Sequence, residues 1–192
     1  MGFLSRILGG AKGRASEYQP SIVAHVAFGG AIRVIEAPVG KDWQHDEVER
    51  EDEGYTVMTL KYVLPASPSP LVLLAKIYTI KPGFELPEVP SSTDWRGVLD
   101  VLFAEISNVA VQATEQTTMR GTWLPASEAI IDGTGADTRA PLRIRERRAV
   151  LNEEQFIVTA MGTPEGFAVH ATTIDNWFST VAFVPISEEP EG

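Results

Sequence analysis

The residues able to do chemistry in this chain are few. His25, His45 and His170 are its only imidazoles, and a metal or acid–base centre would have to be built from them with nearby carboxylates. His45, followed by Asp46 and Glu47, is the one local cluster. It lacks the i, i+4 ligand pair of a helical zinc site, so the residues read as a solvated loop, with a metal-dependent hydrolase around His45 as the competing reading. His25 stands between apolar strand residues, the setting of a hydrogen-bonded sheet histidine. The chain has no cysteine, which removes thiolate zinc sites, iron–sulfur clusters, thiol nucleophiles and disulfide scaffolds together. Ser127 and Ser179 have no histidine near them in sequence, and no Gly-x-Ser-x-Gly elbow occurs. Gly133-Thr134-Gly135-Ala136 lacks the Gly-Lys-Ser/Thr of a phosphate loop and leads into a strand, so it reads as a hairpin turn. No catalytic set, metal or cofactor is implied, and the expectation is a protein that is not an enzyme.

The remaining candidates would bind a partner. Arg143, Arg145 and Arg147 alternate along a strand and so share one face; with Arg139 and Arg148 they form the one basic concentration of the chain. Alternation also puts Glu128 and Asp132 together on the preceding strand, opposite the arginines across a hairpin. This pattern fits a structural ladder of ion pairs, each contributing about 0.2–1 kcal/mol. It leaves one arginine in excess, which keeps an anionic partner open. Trp95 and Trp177 fit helical stripes and belong to the core, whereas Trp43 and Trp123 lie near loops, where a half-exposed indole anchors partners.

The 192 residues suit one domain, and a chain of this length buries about 70% of its unfolded surface on folding. With 16 basic and 26 acidic residues the net charge is −10, which opposes binding to nucleic acid. No apolar run reaches the about 18 residues of a membrane span. Residues 1–20 read as a flexible leader without the basic start of a secretory signal, which points to a cytoplasmic protein. Within it residues 3–14 combine Phe3, Leu4, Ile7 and Leu8 with Arg6, Lys12 and Arg14; this is either a frayed terminus or a docking peptide for a membrane surface or a partner. Assembly with copies of itself stays open.

The elements that must position these residues follow from periodicity. Alternation over Ile22–Phe28 and again over Ile32–Val34, with Gly29-Gly30 between, predicts a hairpin. The acid-rich stretch from Pro38 to Gly54 reads as a solvated connection. Strands follow over Tyr55–Leu64 and Leu71–Ile80, the second apolar on both faces and therefore placed at the sheet centre. Trp95, Val98, Leu99, Leu102 and Ile106 recur at helical spacing behind the caps Ser91 to Asp94. Val109–Thr118 is a weaker strand signal. Strands at Leu124–Thr134, Leu142–Leu151 and Glu154–Met161 precede a helix over Thr172–Phe183, with Thr172-x-x-Asp175 resembling a capping box. Residues 21–185 thus form one folded unit, and residues 186–192 an acidic tail.

Three stretches resemble the PsbP-like and DcrB-like domains, which share their fold with the Ran-binding Mog proteins. Ile32 to Trp43 is similar to the family's strand followed by Pro-x-Gly-Trp, with two extra residues between Gly40 and Trp43. Gly121-Thr122-Trp123-Leu124-Pro125-Ala126 leading to Ile130-Ile131-Asp132-Gly133 resembles its small-residue turn and strand. The third stretch runs from Phe156 to the helix ending Trp177-Phe178-Ser179-Thr180-Val181-Ala182-Phe183. The resemblance implies an α+β fold, an α/β/α sandwich whose central antiparallel sheet of about six to eight strands is flanked by two main helices. It implies a non-enzymatic adaptor or accessory protein that uses a sheet face or groove to hold a protein partner. Relatives of this type include photosystem II extrinsic subunits, nuclear-transport factors, bacterial lipoproteins and chaperones of type VI secretion effectors. A sharper expectation is therefore a secretion-system chaperone binding an apolar client segment.

Overall fold

Side-chain alternation over residues 55–64 and 141–151 and apolar runs over 71–80 and 154–162 favour extended pairing, and the computed structural model joins these strands in one sheet. It describes residues 26–38, 40, 42–65, 70–84, 95, 106–135 and 138–184. Its strands are β1 (Val26–Phe28), β2 (Ile32–Val34), β3 (Gln44–Glu51), β4 (Tyr55–Leu64), β5 (Leu71–Ile80), β6 (Ile106–Thr118), β7 (Pro125–Gly135), β8 (Pro141–Leu151), β9 (Glu154–Gly162) and β10 (Ala182–Phe183). Two helices, α1 (Pro164–Val169) and α2 (Ala171–Thr180), lie between β9 and β10. The large sheet has seven strands in the order β3-β4-β5-β9-β8-β7-β6, and a small sheet has the order β1-β2-β10. Every pairing is antiparallel.

Both faces of the central strands β5 and β9 are covered. Leu60, Tyr62, Leu71, Leu73, Ala75, Phe156 and Val158 pack with Ile174, Trp177 and Phe178 of α2 and with Ile32, Val34 and Phe183 of the small sheet. Each large apolar side chain buried there contributes about 1.5–3 kcal/mol. Trp177 also donates from Nε1 to the Leu74 carbonyl at 3.2 Å, which fixes α2 over the sheet. Residues of the alternate parity, Val72, Leu74, Ile131, Leu142, Ile144 and Met161, form a second cluster with Trp95. Trp95 is the one described residue between 85 and 105; positions 96–105 of the expected helix lie outside the described residues, as do the leader, His25 and the acidic tail, whereas Ile106, expected on the helical stripe, opens β6 as a strand residue.

Several expectations change. The stretch around His45 is no loop: β3 pairs with β4 over its whole length although every residue of it is exposed. An edge strand is held by its ladder on one side, so it needs no apolar face. The sheet centre is β9, with β5 its neighbour. The closing helix ends at Thr180, because Val181 is extended and Ala182–Phe183 pair with β2. Its N-cap is His170, with no side-chain capping bond, so Thr172 and Asp175 form no capping box. The Thr–Pro–Glu signal lies one helix earlier: the Thr163 hydroxyl accepts from the Gly166 amide at 3.0 Å, and Pro164 opens α1. The first hairpin turns as expected, with φ of 57° at Gly29 and 74° at Gly30.

Candidate functional site

Alternation along β8 sends Arg143, Arg145 and Arg147 to the face that carries α2, and register sets each beside an acid of β7. Asp132 lies opposite Arg143, and Glu128 opposite Arg147. Arg143 grips Asp132 with two bonds, Nε to Oδ1 at 2.7 Å and Nη2 to Oδ2 at 2.8 Å. This bidentate pairing raises the Arg143 pKa against a smaller opposing effect of burial. Glu128 bridges two guanidiniums, accepting from Arg145 Nε at 2.7 Å and Arg147 Nε at 2.6 Å, and its side chain is only 4% exposed.

The helix completes the ladder. Arg145 Nη1 donates to Asp175 Oδ1 at 2.7 Å, and Arg147 Nη1 to the Phe178 carbonyl at 3.1 Å. The Phe178 ring lies beneath both, 4.3 Å from the Arg145 guanidinium carbon and 5.4 Å from that of Arg147. Asp175 is therefore the third carboxylate, and the arginine left over in the sequence reading has a partner. Pairing of this kind makes a rigid sheet–helix junction. Each of the three ladder arginines thus has a carboxylate partner.

The turn between β6 and β7 is built differently. Trp123 is 70% exposed, the most exposed large apolar side chain among the described residues. Its φ is +56°, a left-handed conformation unusual for a tryptophan. The turn is nevertheless held firmly: the Trp123 amide donates to the Met119 carbonyl at 2.7 Å, and the Phe183 amide to the Arg120 carbonyl at 3.0 Å. Arg120 also reaches the Ser179 carbonyl at the end of α2. Gly121, with φ of +92°, lies against the Phe183 backbone so closely that a Cβ there would collide with its carbonyl oxygen. An indole thus stands in solvent on a backbone that its surroundings fix.

No family model and no curated protein matches this chain. Among solved structures, the solution structure of cyanobacterial PsbP (CyanoP) from Synechocystis sp. PCC 6803 aligns with 91% of this chain and 99% of that one, at 10% identity and a TM-score of 0.54. The fold is PsbP-like. The crystal structure of PA94, a protein of unknown function from Pseudomonas aeruginosa, aligns with 79% of this chain and 90% of that one, at 13% identity and a TM-score of 0.43.

Within the PsbP-like fold the other expected residues separate. Trp43 is half-buried against the main core at the start of β3, so it packs as well as borders solvent. His45 stacks on Tyr62 with ring centroids 4.8 Å apart and places Nε2 3.2 Å from Glu47. Among the described residues no group of three or more His, Asp or Glu is placed to hold a metal ion. Burial, reinforced by Glu47, pushes the Tyr62 phenol up to about 12. Arg148 does not join the arginine ladder: it points to the opposite face, where Nε donates to buried Glu146 at 2.5 Å and its guanidinium lies 5.7 Å from the Trp95 ring. Thr159 donates to the other oxygen of Glu146 at 3.0 Å. Burial depresses the Lys76 pKa and raises that of Tyr78 on this face. The signal for this second pair was parity, since Glu146 and Arg148 alternate in step with buried Leu142 and Ile144.

Proposed function

We propose that this chain is a non-enzymatic binding protein that holds a protein partner at the rim of its large sheet. Trp123 carries the reading. Exposing an indole costs hydrophobic stabilisation, and holding it at positive φ adds backbone strain, so neither feature serves the fold. Exposed, rigidly placed tryptophan is the side chain that most often dominates binding energy at protein interfaces. The arginine ladder gives this rim its stiffness by locking β7 and β8 to α2. In this reading residues 21–185 form one unit layered as an α/β/α sandwich, with α2 over one face and Trp95 packed against the other. The partner would be met in the cytoplasm, and the PsbP-like likeness supports accessory work over catalysis.

Affinity capture from the native host tests this with the full chain and with Trp123→Ala. A partner recovered in stoichiometric amount by the first and reduced at least tenfold with the second is the expected result. A chain that sediments alone at every concentration and copurifies with nothing would remove the reading.

A further inference from the structure

The two edges of the large sheet are built to opposite rules. β3 carries His45, Asp46, Glu47, Glu49, Arg50 and Glu51 within eight residues, a density of charge that discourages strand addition. β6 is the other edge, and in thirteen residues its one ionisable side chain is Glu115. Bulges between Ser107 and Ala110 and between Val111 and Ala113 distort its first half. From Ala113 to Thr118 the register with β7 is regular, and among the described residues no strand pairs with the other side, which leaves alternate N–H and C=O groups of about 20 Å of straight backbone facing outward.

Glu115 makes this edge selective. It lies directly opposite Glu128 in the register, a like-charge pair that a sheet disfavours. Glu128 is already bound by Arg145 and Arg147, whereas among the described residues no cation pairs with Glu115. Ala113, Glu115, Glu128, Ile130 and Arg145 line a groove beside the edge, with Ala113 and Ile130 supplying its apolar surface. We infer that β6 receives an extended segment of a partner protein as an added antiparallel strand, with a lysine or arginine of that segment facing Glu115. A second copy of this chain fits less well, because each copy brings the same Glu115 and a net charge of −10. The inference rests on the partner-binding reading and names the mode of binding.

The test is a titration of the uniformly ¹⁵N-labelled full chain, followed by NMR and amide exchange. The probe is a ten-residue peptide of alternating threonine and valine with one central lysine; the control has glutamate in its place. Shifts and new protection within residues 113–118 are expected, with the lysine peptide bound about fivefold more tightly than the control. Glu115→Lys should invert that preference, and Glu115→Gln, which keeps the side-chain shape, should abolish it. Shifts confined to other surfaces would overturn the inference while leaving partner binding intact. Protection of β6 that grows with protein concentration, together with a dimer in sedimentation, would assign the edge to a second copy and overturn it equally. No shift anywhere up to millimolar peptide would also refute it, with the Trp123 capture deciding the broader reading separately.

Discussion

Replacing Glu128 by glutamine removes one charge and leaves nearly the same shape, so it isolates what the bridging carboxylate contributes. Two charge-assisted bonds end on Glu128, at 2.7 and 2.6 Å. Bonds to charged groups contribute about 1.5–3 kcal/mol each. The exposure of Arg145 and Arg147, 20% and 13%, lets water compensate part of the loss, and the amide oxygen retains one acceptor. Against this, the amide NH₂ turns toward a guanidinium. The expected loss is about 2–4 kcal/mol, which for a chain of this size lowers Tm by roughly 6–12 °C. Urea unfolding followed by circular dichroism should show a lower midpoint at unchanged slope. The neighbouring acids set the scale: Asp132, 28% exposed, should cost about 1 kcal/mol as Asp132→Asn, and Asp175, 71% exposed, less than that as Asp175→Asn. A Glu128→Gln variant within about 0.5 kcal/mol of the parent, or a reversed ranking, would refute the ladder as the device that joins sheet to helix.

Other expectations follow from single positions. Trp123→Gly should be neutral or stabilising by up to about 1 kcal/mol in thermal unfolding, because φ of +56° suits glycine and the indole has little packing to lose. Gly121→Ala should lose at least about 2 kcal/mol in the same assay, since positive φ and the Phe183 backbone both oppose a Cβ. Lys76 has a pKa lowered from 10.5 by burial, so between its folded value and 10.5 the unfolded chain holds the extra proton and stability rises with pH. Lys76→Met should raise stability at neutral pH and abolish that rise in a pH series of urea midpoints. Tyr62 behaves oppositely: with its phenol pushed from 10 to about 12, the unfolded chain ionises first and stability falls across that window. Tyr62→Phe should shrink the fall and remove the latest-titrating phenol from the absorbance titration.

The parts of this fold that could be read beforehand are those in which side-chain alternation is coupled to burial. The last three long strands, the first hairpin and the acid–arginine register all depend on period two, and parity alone places Arg143, Arg145 and Arg147 opposite Asp132 and Glu128. β3 was missed because its pairing is carried by backbone groups, which leave no pattern in an exposed and acidic segment. The helix end was misplaced because Trp177, Phe178 and Val181 continue a helical stripe, whereas pairing of Phe183 with Ile32 outweighs another helical turn. Asp175 as the third partner is a tertiary contact between residues thirty apart, and local spacing contains no trace of it. Trp123 was singled out for lying near a loop, but its positive φ and its exposure belong to the folded turn, and residue spacing does not encode them.

With the central strands β5 and β9 buried on both faces in the two apolar clusters, edges and turns are left open to a partner. β3 is charged along its whole length, so the open backbone lies along β6, and Trp123 stands in the turn that β6 enters at Thr118. A strand added antiparallel to residues 113–118 would begin beside that turn, so one partner could lay its first residues on the indole and its basic residue against Glu115. The two contacts are then parts of one interface at separate places. Trp123→Ala and Glu115→Gln should each weaken the captured partner, and the double variant should lose the sum of the two effects within about 0.5 kcal/mol, as separated contacts do. If Glu115→Gln changes nothing once Trp123 is already alanine, the two residues do not act as separate contacts. If only Trp123→Ala has an effect, the partner never reaches β6.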